Sequence, residues 1–271
     1  MRKYVFLAAL VMRIAIAAAC IVMSDAAIAQ TRDENWRKCV ATAPEIVIAG
    51  CTAVIRAGGK PAQSLGMAFT NRGVAYENTG QLDRAFQDFD QAIRLNPNVA
   101  DAFRNRGIIY GRKGQPDRAI QDFDQAIRLN PSYAEVFVAR GLVYGRKGQS
   151  DRAIQDFDQA IRLNPNYADA FNNRGIVYGT KGQPDRAIQD FDRAIELDPS
   201  QAAAFYNRGN TYLFKGNYDR AIEDYDQAIR LNPNYAAAFR SRSIAKQMNG
   251  DTVGANADLA KAKQLNPNVG R

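Results

Sequence analysis

The chain contains no histidine. Imidazole is the usual general base and a common metal ligand at neutral pH. Ser-His-Asp and Cys-His catalysis and histidine-ligated zinc are therefore excluded. No metal-binding loop and no phosphate-cradling glycine motif occurs; the Gly-x-Lys-Gly-Gln turns beginning at Gly111, Gly145 and Gly179 read as connectors between helices. Nothing outside the repeated part described below is long enough for a catalytic domain, so no enzymatic activity and no cofactor or metal is expected. Acidic residues are the scarcer sign, 28 against 36 basic, for a formal charge of +8. The two signs are interspersed along the sequence, which argues against nucleic acid as a partner.

What is present is a period. The stretch Ala100 to Tyr133 recurs with light editing at a spacing of 34 residues: prolines stand at Pro97, Pro131, Pro165, Pro199, Pro233 and Pro267, and an Arg-Gly pair begins at Arg72, Arg106, Arg140, Arg174 and Arg208. Six frames follow one another: 66–99, 100–133, 134–167, 168–201, 202–235 and 236–269. A fixed period of this length marks stacked supersecondary units whose apolar faces are covered only by their neighbours.

Within one frame, Phe103, Gly107 and Tyr110 share a face of one helix, and Ala119, Phe123, Ala126 and Ile127 share a face of a second. Gly114-Gln115-Pro116 separates the two, with Pro116 suited to a first helical turn. Asn130-Pro131 ends the second, since the residue before proline resists the helical conformation. Each unit is predicted to be a helix hairpin, with Gly107 and Ala119 small where the helices approach and Phe123 filling the space between them.

With its aromatic, Gly, Tyr, Ala, Phe and Pro at these offsets, the unit resembles a tetratricopeptide repeat, over about three quarters of the chain. Phe replaces the family's usual Trp, and Arg its usual Leu before the Gly. The resemblance implies an all-α, right-handed superhelical solenoid of stacked antiparallel helix hairpins, with the first helix of each lining a concave groove. It also implies groove positions, the second, fifth, sixth, ninth and thirteenth of each repeat. These give Asn71, Asn105, Asn173 and Asn207 at the sixth; Arg104, Asn172, Tyr206 and Arg240 at the fifth; Asn210 at the ninth; and Arg112 and Arg146 at the thirteenth. Asparagine both donates and accepts, so such residues suit the backbone of an extended peptide, and the arginines favour acidic groups. The lysines of the family's carboxylate clamp are missing at those places. A solvated polar face with no ligand is the alternative.

Arginine at the seventh position accompanies aspartate at the twenty-third in all six repeats: Arg72 and Asp88, Arg106 and Asp122, Arg140 and Asp156, Arg174 and Asp190, Arg208 and Asp224, Arg242 and Asp258. This predicts an internal ladder of ion pairs between packed helices that fixes register. Arg118 with Asp122, and Asp124 with Arg128, lie at i, i+4 and are expected on outer helix faces.

Residues 1–29 read as an export signal: Arg2 and Lys3, an apolar run from Tyr4 to Met23, and Ala27-Ile28-Ala29 before Gln30. An uncleaved anchor is the rival, opposed by Arg13 within the run, and a lipoprotein signal ending at Cys20 is another. Export predicts a periplasmic protein, with secretion or membrane anchoring as alternatives and no stable membrane insertion once the signal is removed. Cys39 and Cys51 then form an even pair in an oxidising compartment, which argues for a disulfide. A redox-active pair is the rival and lacks the Cys-x-x-Cys spacing. Pro44 to Gly59 aligns with Pro116 to Pro131, placing Cys51 where Phe123 stands, so residues 30–61 read as a degenerate, disulfide-stapled hairpin. At the other end Ser243, Lys246, Leu259, Asn256 and Lys263 break the pattern, as expected of a capping repeat.

These features predict an exported, non-catalytic scaffold that holds an extended segment of another protein. Two alternatives stand beside it: an accessory or targeting subunit of a separate enzyme, such as a glycosyltransferase or protease system, and a solenoid that assembles with copies of itself.

Overall fold

The computed structural model describes residues 30–269, so the expected export signal lies outside the described residues. Among the described residues the chain is all α, without strands. A first helix, α1, covers residues 30–39. It is followed by α2 (Pro44–Ala57), α3 (Ala62–Asn78), α4 (Leu82–Leu95), α5 (Ala100–Arg112), α6 (Pro116–Leu129), α7 (Ala134–Arg146), α8 (Ser150–Leu163), α9 (Ala168–Thr180), α10 (Pro184–Leu197), α11 (Ala202–Phe214), α12 (Tyr218–Leu231), α13 (Ala236–Met248) and α14 (Thr252–Leu265). The chain divides into two compact units, the first ending at Leu129 and the second beginning at Asn130. In both, consecutive helices pair into hairpins and the hairpins stack in a solenoid.

The hairpin turn follows from one glycine. Gly114 has φ 70°, a conformation that side chains disfavour, and the next amide, Gln115 N–H, donates to Tyr110 C=O at 2.9 Å to close the first helix. The second helix ends on Asn or Asp before Pro. Asn96 is extended, with φ −142°, and its side-chain oxygen accepts from the Asn98 amide at 3.1 Å.

The five hairpins from α3–α4 to α11–α12 are each filled by one ring. Phe89 and Phe123 in the first unit, and Phe157, Phe191 and Tyr225 in the second, are buried, each worth about 1.5–3 kcal/mol relative to exposure. The ring lies over a glycine of the first helix. A Cβ on Gly107 would stand 2.8 Å from Phe123, and one on Gly175 would stand 2.8 Å from Phe191. The alanine pairing with that glycine, Ala119 or Ala187, is fully buried.

The first unit opens on the α1–α2 hairpin, joined by the Cys39–Cys51 disulfide. Both cysteines are fully buried, and they pack with Val47 and Val54 against Ala68 and Ala75 of α3, with Trp36 beside them. The staple thus sits where the later hairpins place a phenylalanine ring. In the second unit α14 buries Ala255, Asp258 and Ala262 and leaves Asn256 and Lys263 exposed.

Candidate functional site

Arg72, Arg106, Arg140 and Arg174, each before a glycine, lie between two rings of their own helices, and Arg208 packs against Phe205. The guanidinium carbon of Arg106 is 5.7 Å from the Phe103 ring centre and 5.9 Å from that of Tyr110, and Arg118 of α6 stacks on the outer side of Tyr110 at 5.7 Å. This column tolerates an arginine where the family usually has leucine, because the charge is met by aromatic faces and by carboxylates. Nε and Nη2 of Arg106 each donate to Asp122 at 2.8 Å. The same two-pronged bond joins Arg72 to Asp88, Arg140 to Asp156, Arg174 to Asp190, Arg208 to Asp224 and Arg242 to Asp258.

Within each unit a second carboxylate joins one hairpin to the one before it at four of these arginines, and sequence reasoning missed it; the corresponding Nη1 of Arg72 donates instead to the Thr52 hydroxyl at 3.0 Å. Nη1 of Arg106 donates to Asp90 at 2.9 Å, that of Arg174 to Asp158 at 2.5 Å, that of Arg208 to Asp192 at 2.6 Å and that of Arg242 to Asp226 at 2.5 Å. Burial opposes the charge on Arg174 and Arg208, but the bonds to two carboxylates outweigh it and raise both pKa values above the ordinary arginine value. The expected i, i+4 pair of Arg118 with Asp122 is not made: Asp122 belongs to Arg106, and Arg118 donates to Gln115 at 3.1 Å. Likewise Arg128 turns to Gln125 at 3.0 Å rather than to Asp124.

The first helices of the second unit carry a repeated depression. One, of about 240 Å³, is lined by Gly141, Leu142, Gly145, Arg146, Ser150, Phe157, Asn173, Ile176, Val177 and Thr180. Another of about 240 Å³ is lined by Gly175, Ile176, Gly179, Thr180, Pro184, Phe191, Asn207, Asn210, Thr211 and Phe214. Every residue of the second list is the first list's counterpart 34 residues on. The floor is the ring of Phe157 or Phe191 seen across glycine, and the walls are the exposed Leu142, Ile176 and Phe214. In the first unit, Asn71, Val74, Ala75 and Asn78 of α3 form the same kind of wall beside the loop after Cys39, enclosing about 320 Å³. There Asn71 Nδ2 donates to Cys39 C=O at 3.2 Å.

The remaining residues expected in a groove do not share one setting. Asn173, Asn207, Asn210 and Arg146 line the two depressions. Asn105 and Asn172 are buried: Asn105 accepts from Arg104 Nη1 at 2.8 Å, and Asn172 accepts from Asn207 Nδ2 at 3.0 Å. Tyr206 packs into its hairpin, 4.9 Å from the Tyr235 ring and 6.0 Å from that of Tyr225, whose hydroxyl donates to Asn210 at 2.8 Å. Arg112 pairs with Glu77 at 2.9 Å, and Arg240 is exposed. Among the described residues no group of three or more His, Cys, Asp or Glu could hold a metal ion, and no helix is long and apolar enough to cross a membrane.

Models described as tetratricopeptide repeat match residues 67–99, 100–133 and 202–235, and residues 138–202, together more than half of the chain. No curated protein matches it significantly. Among solved structures, it is similar to YrrB, described as a TPR protein with an unusual peptide-binding site, at 28% identity and TM-score 0.56, over 72% of this chain and 98% of that one. It is similar to PilF of Pseudomonas aeruginosa at 19% identity and TM-score 0.69, over 77% and 95% of the two chains. A tetratricopeptide repeat protein of Parabacteroides merdae aligns at 21% identity and TM-score 0.68, over 88% and 93%. The last two likenesses speak for the fold alone. Proteins of this kind are scaffolds for protein–protein interaction, and the matched models together with the ring-over-glycine hairpins place the chain among them: it belongs to the tetratricopeptide repeat family.

Proposed function

We propose that the chain is an exported, non-catalytic scaffold that holds an extended peptide segment of another protein against the first helices of its repeats. The observation that carries this reading is the depression that recurs, residue for residue, at the repeat distance. A globular partner needs one complementary patch, whereas an extended chain is met by the same small site used again. Each depression has an apolar floor for a side chain and an asparagine, Asn173 or Asn207, able to bond a peptide N–H or C=O. The description of YrrB as having a peptide-binding site is in keeping with this. Export is supported by the signal-like residues 1–29 and by a buried disulfide, which persists in oxidising compartments.

The test places a photo-crosslinking amino acid at Ile176, on the wall shared by both depressions, or at the exposed Glu223 of α12. Crosslinking in cells through Ile176 to one short segment of one partner is the expected result. A partner captured equally well through Glu223 would overturn the groove reading. Export is checked separately: the protein recovered from the envelope fraction should begin at Gln30, and an intact Met1 in the cytosolic fraction would refute it.

A further inference from the structure

We infer that the two matched depressions read a polyproline-II segment bearing an aliphatic side chain at every third residue, with a carboxylate next to the residue in the first depression. This deepens the peptide-holding reading above and rests on it. Ile176 and Thr180 belong to both depressions, so the two adjoin across α9. Their separation is the stacking distance of neighbouring helices, about 8–10 Å. A β-strand places side chains on one face at roughly 7 Å and then roughly 13 Å, and misses that spacing. A polyproline-II helix has three residues per turn and a rise near 3.1 Å, so its same-face side chains recur at about 9.3 Å.

An α-helix could span the distance with residues seven apart, at about 10.5 Å. Its backbone groups are already paired internally, however, and would leave Asn173 and Asn207 nothing to bond. The polyproline-II backbone has no internal hydrogen bonds and offers both N–H and C=O.

The floors are kept open by glycines that packing does not require. A Cβ on Gly145 would meet only Val177 Cγ2, at 4.0 Å, and one on Gly179 only Ala187 Cβ, at 4.0 Å. Four residues earlier the opposite holds: Gly141 and Gly175 have a ring 2.8 Å from where their Cβ would be. Glycine within a helix is unfavourable, so its place in both floors is explained by the room it leaves. Arg146 supplies the charge complementarity. It is the one charged residue lining either depression, it is exposed, and it makes no ion pair among the described residues.

The test pans a random twelve-residue peptide library against the full chain, and against Gly179→Leu and Asn207→Ala. Enrichment of aliphatic pairs three residues apart, with Asp or Glu within two residues of one of them, is expected. Binding of such a peptide should weaken at least tenfold on Gly179→Leu while the melting temperature is not lowered. If that variant melts early, the exposed Thr180→Lys replaces it. Peptides that depend on Asn207 but space their apolar residues by two, four or seven would overturn this inference and leave the peptide-holding reading standing. The same holds for peptides indifferent to the leucine or lysine. Failure to recover any peptide that depends on Asn207 would overturn both. Replacing Arg146 by Glu should exchange the acidic preference for a basic one, and an unchanged preference would remove the carboxylate from the proposal.

Discussion

Nη1 of Arg106 lies 2.9 Å from Oδ1 of Asp90, a residue of the preceding hairpin, while the rest of the same guanidinium holds both oxygens of Asp122 in its own hairpin. One side chain therefore performs two tasks that can be separated. Asp122 is almost wholly buried, whereas Asp90 keeps about a quarter of its side chain in water, at 28% exposure. Replacing Asp122 by Asn leaves the guanidinium short of its main counter-charge inside the hairpin and should destabilise by on the order of 3 kcal/mol. Replacing Asp90 by Asn should lose about 1 kcal/mol or less, because that pair is screened by solvent. Asp90 links neighbouring repeats, so its loss should broaden the urea transition more than it moves the midpoint. Equal shifts from the two variants would show that the two bonds are not distinct in role.

Gly175 and Gly179 are four residues apart on α9 and should respond oppositely to alanine. Gly175→Ala drives a methyl group to 2.8 Å from the buried Phe191 ring, which must move within a filled hairpin, at about 1–3 kcal/mol. Gly179→Ala meets nothing closer than 4.0 Å and gains helix propensity, up to about 1 kcal/mol. Thermal melts of the two single variants decide the matter, and destabilisation by both would mean that the space above Gly179 is not open.

The hairpins were legible in the sequence because they rest on local signals repeated at 34 residues: the turn glycine, the Asn or Asp before proline, and the arginine beside a glycine that a ring must cover. The Arg106–Asp122 pair was legible for the same reason, since both residues recur without exception. Asp90 was not, although an aspartate recurs at its position in five of the six repeats. Its nearest basic residue in sequence is Arg94, and Arg94 does bond it; the third dimension adds Arg106 to the same carboxylate. The recessed depressions were hidden too, because each depends on a glycine read as part of a turn. Nor does periodicity within one repeat reveal the burial of Asn105 and Asn172.

The Cys39–Cys51 disulfide closes a loop of 12 residues and stands in for an aromatic core, so its removal should act locally. Replacing both cysteines by serine should destabilise the α1–α2 hairpin by about 2–3 kcal/mol. Hydrogen exchange should then rise across residues 30–57 and spare the second unit. Uniformly faster exchange over the whole chain would instead make this hairpin the nucleus on which the stack depends.

Asp258 binds two cations, Arg242 and, at 2.9 Å, Lys246, which stands where earlier repeats carry tyrosine. Burial alone would raise its pKa, but the bonds to Arg242 and Lys246 outweigh burial and hold it below the ordinary aspartate value of 3.8. A carboxyl with a depressed folded pKa binds fewer protons folded than unfolded. Its contribution is therefore complete above the unfolded pKa and lost as the pH falls through the folded one. The α13–α14 hairpin should consequently loosen below about pH 4. Lys246→Met removes one of the two cations that depress the pKa, so the pH-dependent part of the stability should be smaller and its loss should be complete at a higher pH. Asp258→Asn should lower stability at pH 7 and flatten the dependence between about pH 5 and pH 2. The measurement is the urea midpoint as a function of pH, followed by exchange in residues 236–265. A pH profile identical in the wild-type chain and in both variants would mean that the charge on Asp258 contributes nothing to the end of the stack.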